Sequence, residues 1–455
     1  MIATATPLLT VPELDLALWY PELVLVATVM LGLIGTLTSR VNARWLVLAG
    51  LAVASGLAVI SLSGDGGLPI GPHFAVAATT PLIRLVMILG TFLVLLAWPT
   101  RIQRAAPFLT LGTLGVVLLA QAMTVGGMLL AVATTVLGGG LMAMAASGSH
   151  QLTRQWLRVA VIGYAILAFG LVFWSGLTGT MSFAGGLALL TVNPSLPALA
   201  VPATLAVMLV GLSLALLGEP GRLIVDHGEV LPVPATAWLT TMPPLGLVMA
   251  VQNLLIRTDT GQPILEPVLK TVILVGGVLV LGGFMAALAQ TRTVRRLAWA
   301  ASGQVGLALL AVSTEIVTWP MATLVMLAFV PAQLGAVLLA GPTSRRGESG
   351  PRWMPALMLT GLLLSLAGVP PLAGWRPRFG LLDSLLAADL TLVSGLVALG
   401  VLLGMVVYLT PAVTIWRTAE DAPEEDGGGH GPALSVAGLL LLLSLAWGAG
   451  LVNLG

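Results

Sequence analysis

The chain has 455 residues, of which 58% are hydrophobic and only 8% are charged, and its mean hydropathy is +1.04. A soluble domain carries about 25% charged residues, so this composition excludes a soluble fold and indicates an integral membrane protein. The formal net charge of +1, without any basic cluster, gives nucleic acid no surface to bind, and the absence of cysteine excludes disulfides and thiolate metal sites.

Apolar runs divide the chain into about fourteen membrane spans, since a bilayer core of about 30 Å needs about 20 apolar residues per helix. The division between the fourth and fifth spans rests on the short segment 123–127 alone. We place the spans near 19–37, 45–62, 80–98, 107–123, 126–146, 157–177, 200–218, 232–254, 268–288, 297–313, 319–341, 354–381, 391–414 and 433–453.

Positive charge alternates between successive loops, which supports this count independently of hydropathy. Short cytoplasmic loops collect Lys and Arg, so the arginine-rich loops face the cytoplasm. We therefore expect both termini on the outer face of a bacterial-type inner (cytoplasmic) membrane. The arginines of these cytoplasmic loops are Arg40, Arg44, Arg101, Arg104, Arg154, Arg158, Arg222, Arg292, Arg295, Arg296, Arg345, Arg346, Arg352 and Arg417.

Two five-helix units follow one another along the chain, spans four to eight and spans nine to thirteen. Each contains a helix interrupted by Gly and Pro, at 218–221 (GEPG) in the seventh span and at 368–371 (GVPP) in the twelfth. An odd number of helices per unit makes the second unit inverted, and paired interruptions point to a midplane transport pathway. The predicted parts are three N-terminal helices (1–106), the first repeat (107–256), the inverted second repeat (257–418), and an acidic loop with a C-terminal helix (419–455).

The acidic, glycine-rich loop at 420–431 (EDAPEEDGGGHG) lies on the cytoplasmic side in this topology. It is either a solvated linker or a docking surface for a neighbouring subunit.

Five stretches in order along the chain resemble the antiporter-like subunits in the membrane arm of respiratory complex I, and the subunit N type of NADH:quinone oxidoreductase above all. They are 20–25 (YPELVL), 157–184 (LRVAVIGYAILAFGLVFWSGLTGTMSFA), 233–245 (VPATAWLTTMPPL), 290–306 (QTRTVRRLAWAASGQVG) and 362–379 (LLLSLAGVPPLAGWRPRF). The resemblance implies a subunit without a redox site or cofactor of its own, which translocates protons beside other membrane-arm subunits.

The chain departs from that family at the residues that carry protons. By resemblance, a glutamate of the fifth helix falls at Ala133, and lysines of the seventh and eighth helices fall at Ala215 and Pro244. Gln304 stands where the tenth helix often has histidine, and Arg378 stands at the lysine of the twelfth. Arginine holds its proton throughout, whereas a relay residue must release and regain one, so the proton path of this chain is predicted to be degenerate.

Glu219 is the remaining acid of greatest interest, because it lies at the predicted break of the seventh helix. It is either a displaced proton carrier or a structural acid that caps the second half-helix and pairs with Arg222 at i,i+3. Spacing and the helix dipole favour the structural role.

Arg376 and Arg378 flank Pro377 after the second break, and a static ion pair with an acid such as Asp383 is favoured over a gate. Arg84 either snorkels or pairs with a neighbour. Glu22 is placed in the outer interface.

Two further patterns have structural explanations. Glu266 and Lys270, at i,i+4, are expected to form an interfacial pair. The run 138–140 (GGG) lies inside a span and lacks a following Lys-Ser/Thr, so close helix packing explains it better than a phosphate loop.

The sequence therefore predicts an all-α membrane subunit of a proton-translocating, complex I–like NADH:quinone oxidoreductase, with a reduced or lost proton pathway and a largely structural role. One alternative is an active pump with rearranged carriers such as Glu219. The other is a subunit of a related cation/proton antiporter or membrane-bound hydrogenase.

Overall fold

In the computed structural model, the described part of the chain is helical apart from turns and two isolated β-bridges. The structure describes residues 19–38, 42–63, 73–75, 80–98, 104–147, 150–192, 199–217, 231–256, 266–312, 321–343, 353–420 and 431–450. The α-helices within these ranges are α1 (Tyr20–Thr38), α2 (Ala43–Ile60), α3 (Thr80–Leu96), α4 (Ala106–Leu119), α5 (Val125–Ser147), α6 (His150–Thr178), α7 (Phe183–Val192), α8 (Ala200–Leu217), α9 (Val233–Leu239), α10 (Met242–Ile256), α11 (Glu266–Leu288), α12 (Thr293–Val312), α13 (Met321–Thr343), α14 (Trp353–Ala367), α15 (Trp375–Ala387), α16 (Thr391–Glu420) and α17 (Gly431–Gly448).

Eight of the described helices are long and apolar enough to cross a bilayer: α1, α2, α5, α6, α8, α11, α13 and α16. Four shorter apolar helices, α3, α4, α14 and α17, accompany them. This composition of helices makes the protein an all-helical integral membrane protein.

The centre of the bundle is α13, of which 89% of the apolar window is buried, against 33–56% for the other seven long helices. It packs against α12, α17 and α14, and it also contacts α9, α10 and α15. Helices from both predicted repeats therefore meet on α13, and α8 of the first repeat also packs against α11 of the second.

Glycines let several helix pairs approach backbone to backbone. A side chain at Gly138 of α5 would collide with the backbone of Gly112 in α4, and one at Gly211 of α8 would meet the backbone of Leu167 in α6. Small residues at such contacts are how helices associate where lipid gives no hydrophobic drive. The packing role expected for 138–140 is confirmed.

The sequence predicts the eighth span as one continuous helix, but the structure divides it into two helices, α9 and α10. Pro243 and Pro244 have no N–H to donate to the carbonyls of Leu239 and Thr240, so α9 ends before them and they lie in the first turn of α10, where a helix tolerates proline. The hydroxyls of Thr240 and Thr241 bond backwards to Thr236 O (2.9 Å) and Ala237 O (2.6 Å), which satisfies carbonyls near the break.

Other boundaries agree with the sequence more closely. The fourth and fifth spans are separate helices, joined by a turn between Leu119 and Val125. A short helix, α7, follows the sixth span where only a loop was expected. The predicted break of the seventh helix at 218–221 lies outside the described residues; α8 ends at Leu217, just before it.

Candidate functional site

The interruption in the twelfth span lies between α14 and α15, where the sequence places it. Gly368 has a φ of +81°, in the left-handed region, and the Pro370–Pro371 peptide bond is cis. Gly368 N–H donates to Ser365 O (3.1 Å) and Val369 N–H donates to Leu364 O (3.0 Å). These two bonds are a Schellman motif, which ends a helix where glycine supplies the left-handed residue.

Arg378 lies in the first turns of α15 and returns to the end of α14. Its side chain is buried, and Nη2 donates a hydrogen bond to Leu366 O. That carbonyl belongs to the last turn of α14, where helical acceptors lack backbone partners and the helix dipole favours a cation. Arg378 therefore joins the two halves of the broken helix.

The C-terminal helix α17 supplies a second connection to the break. Ser444 Oγ lies 2.7 Å from Ser365 Oγ of α14 and accepts a hydrogen bond from Ala373 N–H at 3.3 Å. Both serines are 1% exposed. The break is thus fixed from both of its ends by buried hydrogen bonds.

A third polar contact lies on the helices beside the break. Gln304 of α12 donates from Nε2 to the hydroxyl of Tyr408 of α16 at 3.1 Å, and both side chains are buried. The ring of Phe284 packs edge-on against that of Tyr408, with centroids 6.4 Å apart. Gln304, Ser365 and Arg378 line one small cavity.

This arrangement provides a fixed positive charge, a phenol, an amide and hydroxyls within one buried region. Among the described residues it brings no carboxylate and no lysine to the break. A phenol and a guanidinium both hold their protons at neutral pH, so neither group exchanges protons readily. The described part of the site can hold charge and orient hydrogen bonds, but it lacks an ordinary proton carrier.

The three positions at which the resemblance predicts lost ionisable residues lie in different surroundings. Ala215 is 1% exposed and its backbone lies against Gly163 of α6 so closely that no side chain fits at that glycine. Pro244 is buried at the start of α10, and Ala133 is half-buried on α5.

The indole of Trp238 in α9 is fully buried and lies against Gly112 of α4. Its Nε1–H lies within hydrogen-bonding distance of the hydroxyls of Thr91 (3.2 Å) and Thr113 (3.1 Å), which are 2.8 Å apart. In the described part of the first repeat, neutral groups therefore make the buried polar contacts.

A separate charged cluster lies at the other end of the sequence. Arg84 Nε is 2.9 Å from Glu22 Oε1, and Gln121 Nε2 donates to the same oxygen at 2.6 Å. All three residues are at most 1% exposed. This cluster joins α1 and α3 to the turn after α4, across the predicted boundary between the N-terminal helices and the first repeat.

The structure brings together two of the predicted site residues, Arg378 and Gln304, around one cavity. Glu219 and Arg222 lie outside the described residues. Asp383 is exposed while Arg378 is buried, so the expected ion pair between them is not formed. Of the two alternatives for Arg84, the structure shows pairing with a neighbour, Glu22, and not snorkelling. Glu22 is buried, whereas the sequence placed it in the outer interface.

Sequence reasoning missed the roles of Tyr408, Ser365, Ser444 and Gln121. Each is an ordinary residue in an apolar helix or turn, and its partner lies far along the chain, 104 positions away for Tyr408 and Gln304. The expected pair of Glu266 and Lys270 is confirmed at 2.6 Å. No group of three or more His, Asp or Glu side chains that could hold a metal occurs in the described part of the chain.

The many apolar helices make this a polytopic membrane protein, and one of its spans is broken beside a buried cation, as in many transporters. The chain belongs to the family described as NADH:quinone oxidoreductase/Mrp antiporter, transmembrane, whose model matches residues 142–404.

Similar proteins agree with this assignment. The chain is 28% identical over 284 residues to a protein from Syntrophotalea carbinolica named NADH-quinone oxidoreductase subunit N; the match covers 59% of this chain and 60% of that protein. It therefore spans somewhat less than two thirds of this relative's length.

Two solved structures share the fold over nearly the whole chain. A chain of respiratory complex I from Thermus thermophilus has a TM-score of 0.72 and 18% identity, and covers 94% of this chain and 97% of its own. A chain of the Mrp complex from Dietzia sp. has a TM-score of 0.76 and 16% identity, with 96% and 95% covered.

Proposed function

We propose that this protein is a membrane-arm subunit of a complex I–like, proton-translocating NADH:quinone oxidoreductase, with a degenerate proton path of its own and a largely structural role. Electrons are handled by other subunits, and this chain carries no cofactor. Its partners are the neighbouring membrane-arm subunits and the lipid of a bacterial inner membrane, with both termini on the outer face, and nucleic acid is not among them.

The proposal includes the finer architecture expected from the sequence. About fourteen spans form three N-terminal helices over 1–106, two inverted five-helix repeats over 107–256 and 257–418, and an acidic loop with a last helix over 419–455. The seventh and twelfth spans are broken. The division between α14 and α15 supports the second of these breaks.

One observation carries the structural role. In the described parts of the two predicted repeats, Arg378 is the one buried charged side chain, and the family's other stations fall at Ala133, Ala215 and Pro244. A proton crosses hydrocarbon only by way of groups that release and regain it. Arg378 keeps its proton, so the described core supports a fixed charge and not a relay.

Co-purification tests which complex the protein belongs to. The full chain, tagged at one terminus in its own organism, is purified from mild detergent, and the accompanying subunits are identified by mass spectrometry. We expect NADH- and quinone-handling subunits to accompany it. Deleting the gene should release a membrane arm that lacks its adjoining subunits, and a plasmid-borne copy should restore the arm.

The Mrp likeness favours a second candidate, a subunit of a cation/proton antiporter, because the TM-score to the Dietzia chain is no lower than that to complex I. Small antiporter chains in the purified material, without NADH- or quinone-handling subunits, would support that candidate and contradict ours. A hydrogenase module would contradict both. An active pump that uses Glu219 is a third possibility, which proton counting separates from the structural role.

A further inference from the structure

We propose that the cavity at the break between α14 and α15 binds a small monovalent inorganic anion of the chloride type, held by Arg378. The proposal concerns ligand binding and is independent of whether the subunit pumps protons. If the anion does not bind, the proposed function still stands. If the proposed function is wrong, the anion site still stands.

The first argument is charge. The Arg378 side chain is only 6% exposed, and no described carboxylate lies within ion-pair distance of it. Among the described residues, its one hydrogen-bond acceptor is Leu366 O, which leaves most of the five guanidinium N–H donors for another ligand. The negative end of the α14 dipole offsets only about half of the unit charge of Arg378, so the region keeps a net positive charge.

The second argument is the direction of α15. This helix of 13 residues begins at Trp375, and Gly374 immediately before it lines the cavity with Arg378. The N-terminus of α15 is the positive end of its dipole, which favours an anion, while the Trp375 N–H donates to Leu372 O (3.3 Å) and Pro377 has no N–H. Helix and guanidinium therefore favour the same sign of ligand.

The third argument is the shape and chemistry of the cavity. Gln304 and Ser365 supply polar groups to its wall, while Val325, Ala328 and Phe329 of α13 make the rest apolar. Its free space admits about one water-sized particle. Chloride and bromide exceed a water molecule by about 0.4 to 0.6 Å in radius, so the side chains of the wall must shift slightly to admit them, whereas sulfate and gluconate are far too large for this space.

Gly374 must stay without a side chain for the site to keep this geometry. A Cβ at that position would collide with the carbonyl oxygen of Ser365, which lies at the break. The close packing of α14 against the start of α15 therefore determines the shape of the cavity.

Equilibrium binding of radioactive chloride to the full chain in lipid nanodiscs tests the proposal. We expect one saturable site per chain, with competition by bromide and none by gluconate or sulfate at constant ionic strength. Arg378→Gln removes the charge-assisted hydrogen bonds and should weaken the apparent affinity by about 10- to 100-fold, whereas Arg378→Lys should retain most of it.

Arg376→Gln is the matched control, because it removes the same charge from an exposed position on the same helix and should bind chloride as the wild type does. Ala328→Val fills the cavity without touching the charge and should also abolish binding, so the test survives if Arg378→Gln fails to fold. The absence of saturable chloride binding in the wild type would overturn the proposal. Unchanged affinity in a folded Ala328→Val or Arg378→Gln protein would overturn it as well.

Discussion

The ion pair between Glu22 and Arg84 gives the sharpest stability prediction. The two charged atoms are 2.9 Å apart and the side chains are 2% and 1% exposed. At an effective dielectric constant of about 20 their attraction is about 6 kcal/mol, most of which offsets the cost of burying both charges. Removing one partner leaves the other charge buried and unpaired, and such changes cost about 3–5 kcal/mol.

Arg84→Met should therefore lower the free energy of unfolding by about 3–5 kcal/mol, a factor of about 150 to 5,000 in the ratio of folded to unfolded protein. The double variant Glu22→Gln, Arg84→Met removes both charges, keeps an oxygen for Gln121 Nε2 and should recover most of that loss. Unfolding is followed by far-UV circular dichroism in mixed dodecylmaltoside and SDS micelles, with the four proteins of the cycle measured side by side.

The pair of Glu266 and Lys270 is the internal control, since its side chains are 77% and 71% exposed. Lys270→Met should leave the unfolding curve unchanged because water and salt screen an exposed pair. Our reasoning would be refuted if Arg84→Met cost less than about 1 kcal/mol, or if the double variant lost as much as the two single variants together.

Three other substitutions test packing and hydrogen bonding by the same unfolding assay. Gly283→Ala should destabilise the protein, because the added Cβ would collide with the backbone of α12. Gly282 has open space around it, so Gly282→Ala should be neutral or slightly stabilising. Equal effects of the two substitutions would contradict the close contact at Gly283. Trp238→Ala should cost about 3–5 kcal/mol by opening a cavity in the first repeat, and a loss below about 1 kcal/mol would mean that the core closes over the site. Tyr408→Phe leaves the amide of Gln304 without its acceptor and should cost about 1–3 kcal/mol, a loss that Gln304→Leu in the same chain should partly recover.

Local patterns in the sequence predicted the parts of the fold that local chemistry determines. Apolar runs predicted an all-helical membrane protein, and Pro370 with Pro371 predicted the break between α14 and α15 because proline removes a backbone donor. The pair of Glu266 and Lys270 followed from i,i+4 spacing on one helix. The break between α9 and α10 had the same kind of signal in Pro243 and Pro244, and it was missed.

Contacts between distant segments could not be read in this way. Glu22 and Gln121 are 99 positions apart, and no periodicity in either segment indicates the other. Asp383 is close to Arg378 in sequence, but it lies on the exposed face of α15 while Arg378 is buried and bonds to Leu366 O at the break. Helix packing, and not chain distance, decides which buried polar groups meet.

The most direct test of the proposed role is the number of protons translocated per electron by the intact complex in proteoliposomes. Wild type is compared with Glu219→Gln and Arg378→Ala at matched electron-transfer rates, with Arg376→Gln as the control for an exposed arginine. A largely structural subunit predicts the same ratio in all four. A lower ratio in Glu219→Gln or Arg378→Ala, with the control unchanged, would mean that this chain carries a working proton path and would contradict the account.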